Sequence, residues 1–259
     1  MLADYLSALW LMLGSGFLTW LYSLYRRDVS SVDSLWSLMF LAAAIIFVNS
    51  SGSSHSTKQI LVLVLLAIWS IRLSLHLSIR NHGKKEDHRY QQIRKNNEPH
   101  FEFKSIYIVF GLQAVLAWII CIPLWFGLQP GATLGWLDYL AVALWVFGFG
   151  FEAIADWQLF RFKRSGANNR KVLNKGLWRL SRHPNYFGEF CIWWSYYLFA
   201  VSAGGSWTVY APVLMTFLLL KVSGVSLMEE NIPERRPDYQ AYIESTNAFF
   251  PNIFGRRRN

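Results

Sequence analysis

Charged side chains are scarce in this chain: Asp, Glu, Lys and Arg make up 16% of its 259 residues, against about 25% in an ordinary soluble domain. Cysteine is rarer still. The two present, Cys121 and Cys191, fall inside apolar runs and read as packing residues rather than as a disulfide. No Cys/His group has zinc spacing, so no metal is expected. The sequence has no Gly-x-Gly-x-x-Gly turn leading from a strand into a helix and no Gly-Lys-Ser/Thr loop, which removes Rossmann and P-loop nucleotide sites. It also lacks the Gly-x-Ser-x-Gly elbow of the α/β-hydrolases. Internal repeats, low-complexity tracts and a second-domain boundary are likewise missing.

What fills the chain instead is apolar surface, with 53% hydrophobic and 17% aromatic residues. It is gathered into seven runs, at about 6–25, 32–48, 60–79, 105–126, 136–157, 186–203 and 207–227. A spanning helix needs about 20 such residues, with a range of about 17–25. The expected fold is therefore all-α, a single integral membrane domain over 1–259 with seven transmembrane helices. The alternate connections 26–31, 80–104 and 158–185 and the tail 228–259 hold 2, 7, 8 and 5 of the 25 lysines and arginines. Positive residues stay inside, so the N-terminus is expected outside and the tail in the cytoplasm. Lys58 falls in an opposite-side loop, while Arg72 and Lys221 lie within runs. The first run has no cationic leader and no small-residue cleavage site, and reads as a retained helix. The formal charge of +9 follows from this asymmetry, and nucleic acid needs no place in the account.

Against that apolar background the polar residues stand out. Ser30 or Ser31 is placed to cap the second helix, and Asp33 sits one turn inside it, where an ionisable group is functional by default. In the third run Arg72, His76 and Arg80 recur every fourth residue, a stripe climbing about 12 Å at about 1.5 Å per residue. By depth, Asp33 is the expected partner of Arg72. Asp87, Arg89 and Tyr90 are unusual so close to a membrane mouth. The fourth run is nearly featureless, with Pro123 placed late enough to kink it.

Farther on, Glu152 and Asp156 lie one turn apart, ahead of the cations Arg161, Lys163, Arg164, Arg170 and Lys171. That cationic loop suits anionic lipid headgroups or an adenosine phosphate equally. Pro184 reads as a first-turn helix residue. The helix start beside Arg179, Arg182 and His183 then suits an anion. Asn185 and Glu189, four apart, share one face. The closing Phe249-Phe250-Pro251 reads as docked on an apolar surface. Cations, acids and helix ends around apolar runs suggest a charged cofactor from the cytosol and a lipophilic substrate from the bilayer.

The stretch Arg182-His183-Pro184-Asn185-Tyr186-Phe187-Gly188-Glu189, followed by paired acids and the aromatic close, resembles the superfamily of steroid 5-alpha-reductases, sterol reductases and isoprenylcysteine carboxyl methyltransferases. The short motif serves both chemistries. The longer pattern is similar to the bacterial steroid 5-alpha-reductase-like branch from about residue 20 onward. It comprises Val32-Asp33-Ser34-Leu35-Trp36, Arg72 to Arg80, Asp87-His88-Arg89-Tyr90, Asp156-Trp157-Gln158 to Phe162, and Lys221 to Val225.

The resemblance implies a membrane reductase that uses NADPH, with substrate-side helices over about 1–104 and a cofactor-binding half over about 105–259. Asp156 stands at the family's cofactor-binding aspartate, and Lys163, beside Arg164, replaces an arginine. Asn185 and Glu189 keep the Asn-x-x-x-Glu spacing thought to hold the nicotinamide amide, and Lys221 approximates a cofactor-binding arginine. Arg182, His183, Tyr186 and Glu230 complete the expected cofactor set. Steroid reductases pair a glutamate of the second helix with a tyrosine of the third to polarise the enone carbonyl. Here the second helix offers Asp33 and the third offers Arg72 and His76, so these three are the expected catalytic residues.

The expected activity is hydride transfer to a conjugated carbon–carbon double bond of a steroid-like or other lipophilic enone. It is expected in the bacterial inner membrane, with membrane lipid around it and no protein partner. The alternatives are an S-adenosylmethionine-dependent methyltransferase of a lipid-linked acceptor and a non-enzymatic lipid-binding or transport protein.

Overall fold

A computed structural model describes residues 2–50, 52, 55–131, 133–165, 172–222 and 239–252. The described residues are helical or loop, with no strand among them. The chain divides into two compact units, one formed by residues 1–135 with 199–208 and the other by 136–198 with 209–259.

The first unit begins with α1 (Leu2–Arg26), α2 (Ser31–Asn49) and α3 (Thr57–Asn81), which pack in sequence order. After α1 the chain reverses through Arg27 in the left-handed region, at φ 53°. The Asp28 N–H then reaches back to the Ser23 carbonyl at 3.2 Å, closing the helix end. Small residues let α2 approach its neighbours: Ser37, Ala43 and Ala44 are fully buried, and the Ser37 hydroxyl donates to the Ser70 carbonyl at 2.9 Å. On α3 the opposite holds. Ile60, Val64, Ile68, Ile71, Leu75 and Ile79 form an exposed stripe at helical spacing. An apolar ridge of that length is of the kind a membrane-spanning helix presents to lipid.

After α3 come α4 (His88–Asn96), α5 (Phe101–Ile120) and α6 (Ile122–Gly127). The helical path breaks at Cys121 and restarts with Pro123 in its first turn, the kink expected there. Inside α5, residues Ile106–Gly111 form a π turn, and the Leu112 N–H bonds the Tyr107 carbonyl five residues back. Gly111 fits because a Cβ there would sit 3.0 Å from the Ile106 carbonyl oxygen.

Lys58 is in the first turn of α3 and fully buried, not in a loop as the sequence reading had it. Its ammonium donates to the Phe199 carbonyl at 3.1 Å and to the Ser202 hydroxyl at 2.5 Å, so it covers carbonyl-rich last-turn backbone of another helix. A capping box between Ser56 and Gln59 starts α3, and the Gln59 amide also donates to the Leu128 carbonyl at 2.8 Å.

The second unit is built on α7 (Trp136–Arg164), the leading part of α8 (Pro184–Ser202), α9 (Tyr210–Phe217, continued by a π turn over Leu218–Val222) and the short α10 (Tyr239–Ser245). Backbones of α7 and α8 touch at two glycines. A Cβ on Gly148 would lie 2.7 Å from the Gly188 carbonyl, and one on Gly188 would lie 2.5 Å from the Glu152 nitrogen. This is small-residue helix packing at its closest.

Among the described residues, five helices are long and apolar enough to cross a membrane: α1, α2, α3, α5 and α7. The other two expected spans fall short of that standard for identifiable reasons. The 19 residues of α8 include Glu189, Trp193, Trp194, Tyr186, Tyr196 and Tyr197, whose polar edges lower its hydropathy. The apolar helix Ser206–Lys221 is shorter than the five.

Candidate functional site

The densest polar constellation described in the first unit grows from the connection between α3 and α5. Asp87 caps α4, its carboxylate accepting the Arg89 N–H at 3.0 Å, while its own N–H donates to the Ser30 hydroxyl at 2.8 Å. Ser30 does not cap α2 through its side chain, as the sequence had suggested; its hydroxyl receives the Asp87 N–H instead.

At the second residue of α4, Arg89 bridges two acids. Its Nε donates to Asp87 Oδ1 at 3.0 Å and its Nη2 to Asp33 Oδ2 at 2.6 Å. The next residue, Tyr90, donates its hydroxyl to Asp33 Oδ1 at 2.5 Å and accepts from Gln113 Nε2 at 3.0 Å. Both oxygens of Asp33 are thus engaged by Arg89 and Tyr90, where the sequence reading had looked to Arg72. Depth along the membrane is the same for many residues around a bundle; the face each helix turns inward decides the pair.

A second ion pair holds this assembly in register. Arg94 binds Glu86 through two bonds of 2.9 Å, its guanidinium lies 4.4 Å from the centre of the Phe101 ring, and Glu86 Oε1 accepts the Val29 N–H at 3.0 Å. Beneath lies an apolar floor of Trp20, Val29, Val32, Tyr90, Phe101, Val109 and Phe110. Gly16 of α1 lies against it, where a Cβ would make an ordinary contact of 3.4 Å with the Phe110 carbonyl oxygen.

Burial and charge set the protonation of this cluster. Burial pushes the Tyr90 hydroxyl well above its ordinary value of 10, and the neighbouring Asp33 charge adds to the effect, so it is a fixed proton donor. For Arg89, burial opposes the charge, but the carboxylates of Asp33 and Asp87 outweigh it and raise its pKa. Burial alone would raise Asp87; the Arg89 guanidinium and backbone N–H overcome that and hold it below 3.8.

Arg72 and His76 are half-buried on α3. Arg72 borders the shallow apolar groove of Val64, Ala67, Ile68, Ile71 and Leu75 along the exposed stripe. The structure therefore gathers Asp33 with Tyr90 and Arg89 rather than with the α3 residues. Asp87, Arg89 and Tyr90 were visible in the sequence as charge at a membrane mouth. Gln113 lies in the otherwise nearly featureless fourth run, where an amide inside an apolar span is itself a signal.

In the second unit α8 starts at Pro184, as its sequence requires. Asn185 Nδ2 donates to Asp156 Oδ1 at 3.2 Å, joining two expected cofactor residues from different helices. Asp156, His183 and Glu189 are buried, as is Glu152 one turn before Asp156; the His183 ring stacks on Tyr186 at 5.6 Å, and Glu189 follows Asn185 by one turn.

Arg182 is placed differently from expectation. Its Nη1 donates to the carbonyls of Ile243 at 3.1 Å and Thr246 at 2.5 Å, at the end of α10, so part of its hydrogen-bonding fork is turned to the tail. Lys163 and Arg164 are exposed at the end of α7, where Arg164 lies 5.4 Å from the Phe160 ring and Arg161 5.0 Å from that of Trp157. Lys221 is exposed in the π turn after α9. Arg170, Lys171 and Glu230 lie outside the described residues. The tail docks as expected: Phe249 packs edge-on to Phe187 at 6.0 Å and Phe190 at 5.7 Å.

An uncharacterized protein of the fission yeast Schizosaccharomyces pombe is 27% identical to this chain over 272 residues, covering 93% of the chain and 77% of the relative. No solved structure matches. A family profile covers residues 19–246, most of the chain and all of the polar clusters above except the end of the docked tail. The chain belongs to that family, described as a protein of unknown function, DUF1295.

Proposed function

We propose that this chain is a membrane-embedded, NADPH-dependent reductase acting on a conjugated carbon–carbon double bond of a lipophilic enone. The observation that carries the reading is the Tyr90–Asp33 pair: a buried hydroxyl 2.5 Å from a carboxylate, braced by Arg89 and Gln113. The resemblance to steroid reductases implies a carboxylate and a tyrosine that together polarise an enone carbonyl. The tyrosine expected on the third helix is supplied here by α4.

Reduction of an enone needs a hydride at one alkene carbon, which a bound reduced nicotinamide would supply, a donor to the oxygen on which negative charge grows, and a proton from solvent at the other alkene carbon as the enol reverts to the ketone. Tyr90, held protonated by burial, is that donor once its single O–H turns from Asp33 to the enone oxygen. Gln113 keeps the hydroxyl oxygen in place, Arg89 holds the acid it leaves, and the apolar floor shields the site. In such a setting one placed donor contributes about 3–4 kcal/mol in the transition state.

The described residues of the second unit fit a cofactor by their chemistry. Asn185 spends one amide N–H on Asp156 and keeps a carbonyl to accept from a carboxamide, and Glu189 adds acceptors on the same face. Lys163 and Arg164 are exposed cations suited to a 2′-phosphate. In this reading the chain crosses the membrane seven times, with its N-terminus outside and its tail in the cytoplasm, as an inner-membrane protein drawing its substrate from the bilayer.

The test is direct binding to detergent-purified protein. NADPH is expected to bind tighter than NADH, and S-adenosylmethionine not at all. Saturable S-adenosylmethionine binding without NADPH binding would replace the reductase with a methyltransferase.

A further inference from the structure

Arg182 stands one residue before the histidine that opens α8, yet two of its hydrogen bonds run to the tail. Its Nη1 serves the Ile243 and Thr246 carbonyls, which the end of α10 leaves without helical partners. Its own N–H donates to the Asn247 carbonyl at 2.9 Å. Around it the tail is fastened at further points. The Ser181 hydroxyl donates to the Phe249 carbonyl at 2.8 Å, the Asn252 N–H to the Leu180 carbonyl at 2.9 Å, and the Tyr242 hydroxyl to the Trp178 carbonyl. Phe249 then closes against Phe187 and Phe190 of α8. The same Ser181 hydroxyl accepts the His183 N–H at 3.1 Å, so one side chain ties the tail to the turn that delivers His183, Pro184 and Asn185.

We infer that segment 239–252 is a strap that sets the geometry of the His183–Glu189 turn, and that Arg182 is a positioning residue fastening it, not a ligand of the cofactor phosphates. This rests on the proposed reading that the turn holds the nicotinamide end of NADPH. The chemistry favours it. The guanidinium is buried, and the carbonyls it meets are the negative end of a helix. A phosphate ligand would instead present its fork to a groove.

The experiment compares Arg182→Met, Arg182→Lys and Tyr242→Phe in the full chain. Hydrogen exchange reads the amides of Arg182 and Asn252, and fluorescence reads NADPH and NADH affinity. Arg182→Met is expected to speed exchange at both amides at least tenfold. It is expected to weaken NADPH and NADH by the same factor, about 10- to 100-fold, since no phosphate contact is lost. Arg182→Lys should restore most of both, because an ammonium can serve two carbonyls. Tyr242→Phe, which alters only the tail side, should give the same pattern more weakly, and keeps the test alive if Arg182→Met fails to fold.

Loss of NADPH affinity far exceeding that of NADH, with exchange unchanged, would make Arg182 a phosphate ligand and overturn the proposal. Faster exchange with affinities within twofold of wild type would confine Arg182 to stability and overturn it too. If the wild type binds neither nucleotide, the reductase reading and the positioning role fall together. Faster exchange would then still establish the strap.

Discussion

Replacing Tyr90 by Phe removes one oxygen atom, and its two consequences differ enough in size to be told apart. The lost hydroxyl donates to Asp33 and accepts from Gln113. Asp33 keeps Arg89 on its other oxygen, so the main stability cost is the Gln113 N–H deprived of this acceptor, about 1–3 kcal/mol. At about 2–4 °C per kcal/mol for a chain of this size, the melting temperature should fall by roughly 2–12 °C and leave a folded protein. In the transition state the same hydroxyl is worth about 3–4 kcal/mol, or roughly 10²–10³ in rate. The assay is single-turnover oxidation of bound NADPH in excess enone, followed by absorbance, with NADPH affinity measured separately and expected within about threefold of wild type.

The pH profile supplies an independent sign. Burial, with the Asp33 charge, holds the Tyr90 proton well above 10, so the donor stays protonated and the wild-type rate should have no Tyr90-dependent alkaline limb up to about pH 10. A phenylalanine variant that oxidises NADPH within about threefold of wild type would refute the donor role. So would an alkaline limb near about pH 9 that vanishes in the variant, because it would show a hydroxyl in contact with water.

Lys58→Met keeps the length of the side chain but removes an ammonium that makes two hydrogen bonds. Charged hydrogen bonds of about 1.5–3 kcal/mol each are partly offset by the relieved desolvation, so a net loss of about 1–3 kcal/mol is expected in thermal unfolding. Lys58→Ala should cost about 2 kcal/mol more through lost methylenes, and a methionine variant more stable than wild type would show the buried charge to be a net burden. Gly188→Ala forces a Cβ to 2.5 Å from the Glu152 nitrogen, whereas a Cβ at Gly150, in the same pair of helices, meets nothing within 4 Å. The first should destabilise by at least about 1–3 kcal/mol and the second stabilise by up to about 1 kcal/mol; equal melting temperatures would deny the backbone contact.

The helices were legible because each is an apolar run closed by charge, and Pro123 and Pro184 act locally wherever they stand. Asp33 could be singled out because an acid inside such a run has few innocent explanations. Its partners could not. Tyr90 is 57 residues away along the chain, and it arrives through the N-cap made by Asp87, a turn whose docking on Ser30 no periodicity announces. The Asp33–Arg72 pairing failed because it ranked candidates by height in the membrane, a coordinate that ignores helix rotation. Hydropathy starts a helix at its first apolar residue and so leaves Lys58 in the preceding loop. The capping box at Ser56 and Gln59 starts α3 earlier. Arg182 illustrates the same limit at a motif: adjacency to His183 suggested a shared ligand, while its side chain serves the tail.

The π turn in α5 has a meaning for sequence comparison. A π turn holds one residue more than the α-helix it interrupts, so α5 carries a single-residue surplus at Ile106–Gly111, and everything beyond is rotated by about 100° relative to an uninterrupted helix. That rotation points Gln113 at Tyr90, and it lets Trp118 and Tyr5 exchange bonds, ring nitrogen to carbonyl at 2.8 Å and hydroxyl to carbonyl at 2.7 Å. Aligned relatives should therefore tolerate a one-residue gap between 106 and 111, because it only removes the surplus and leaves the later residues on the faces they hold here. A gap between 112 and 120 would scramble the phase with no slack to absorb it. Where a relative lacks the surplus residue, the donor to its counterpart of Tyr90 should be sought at the position aligned with Gln113 itself.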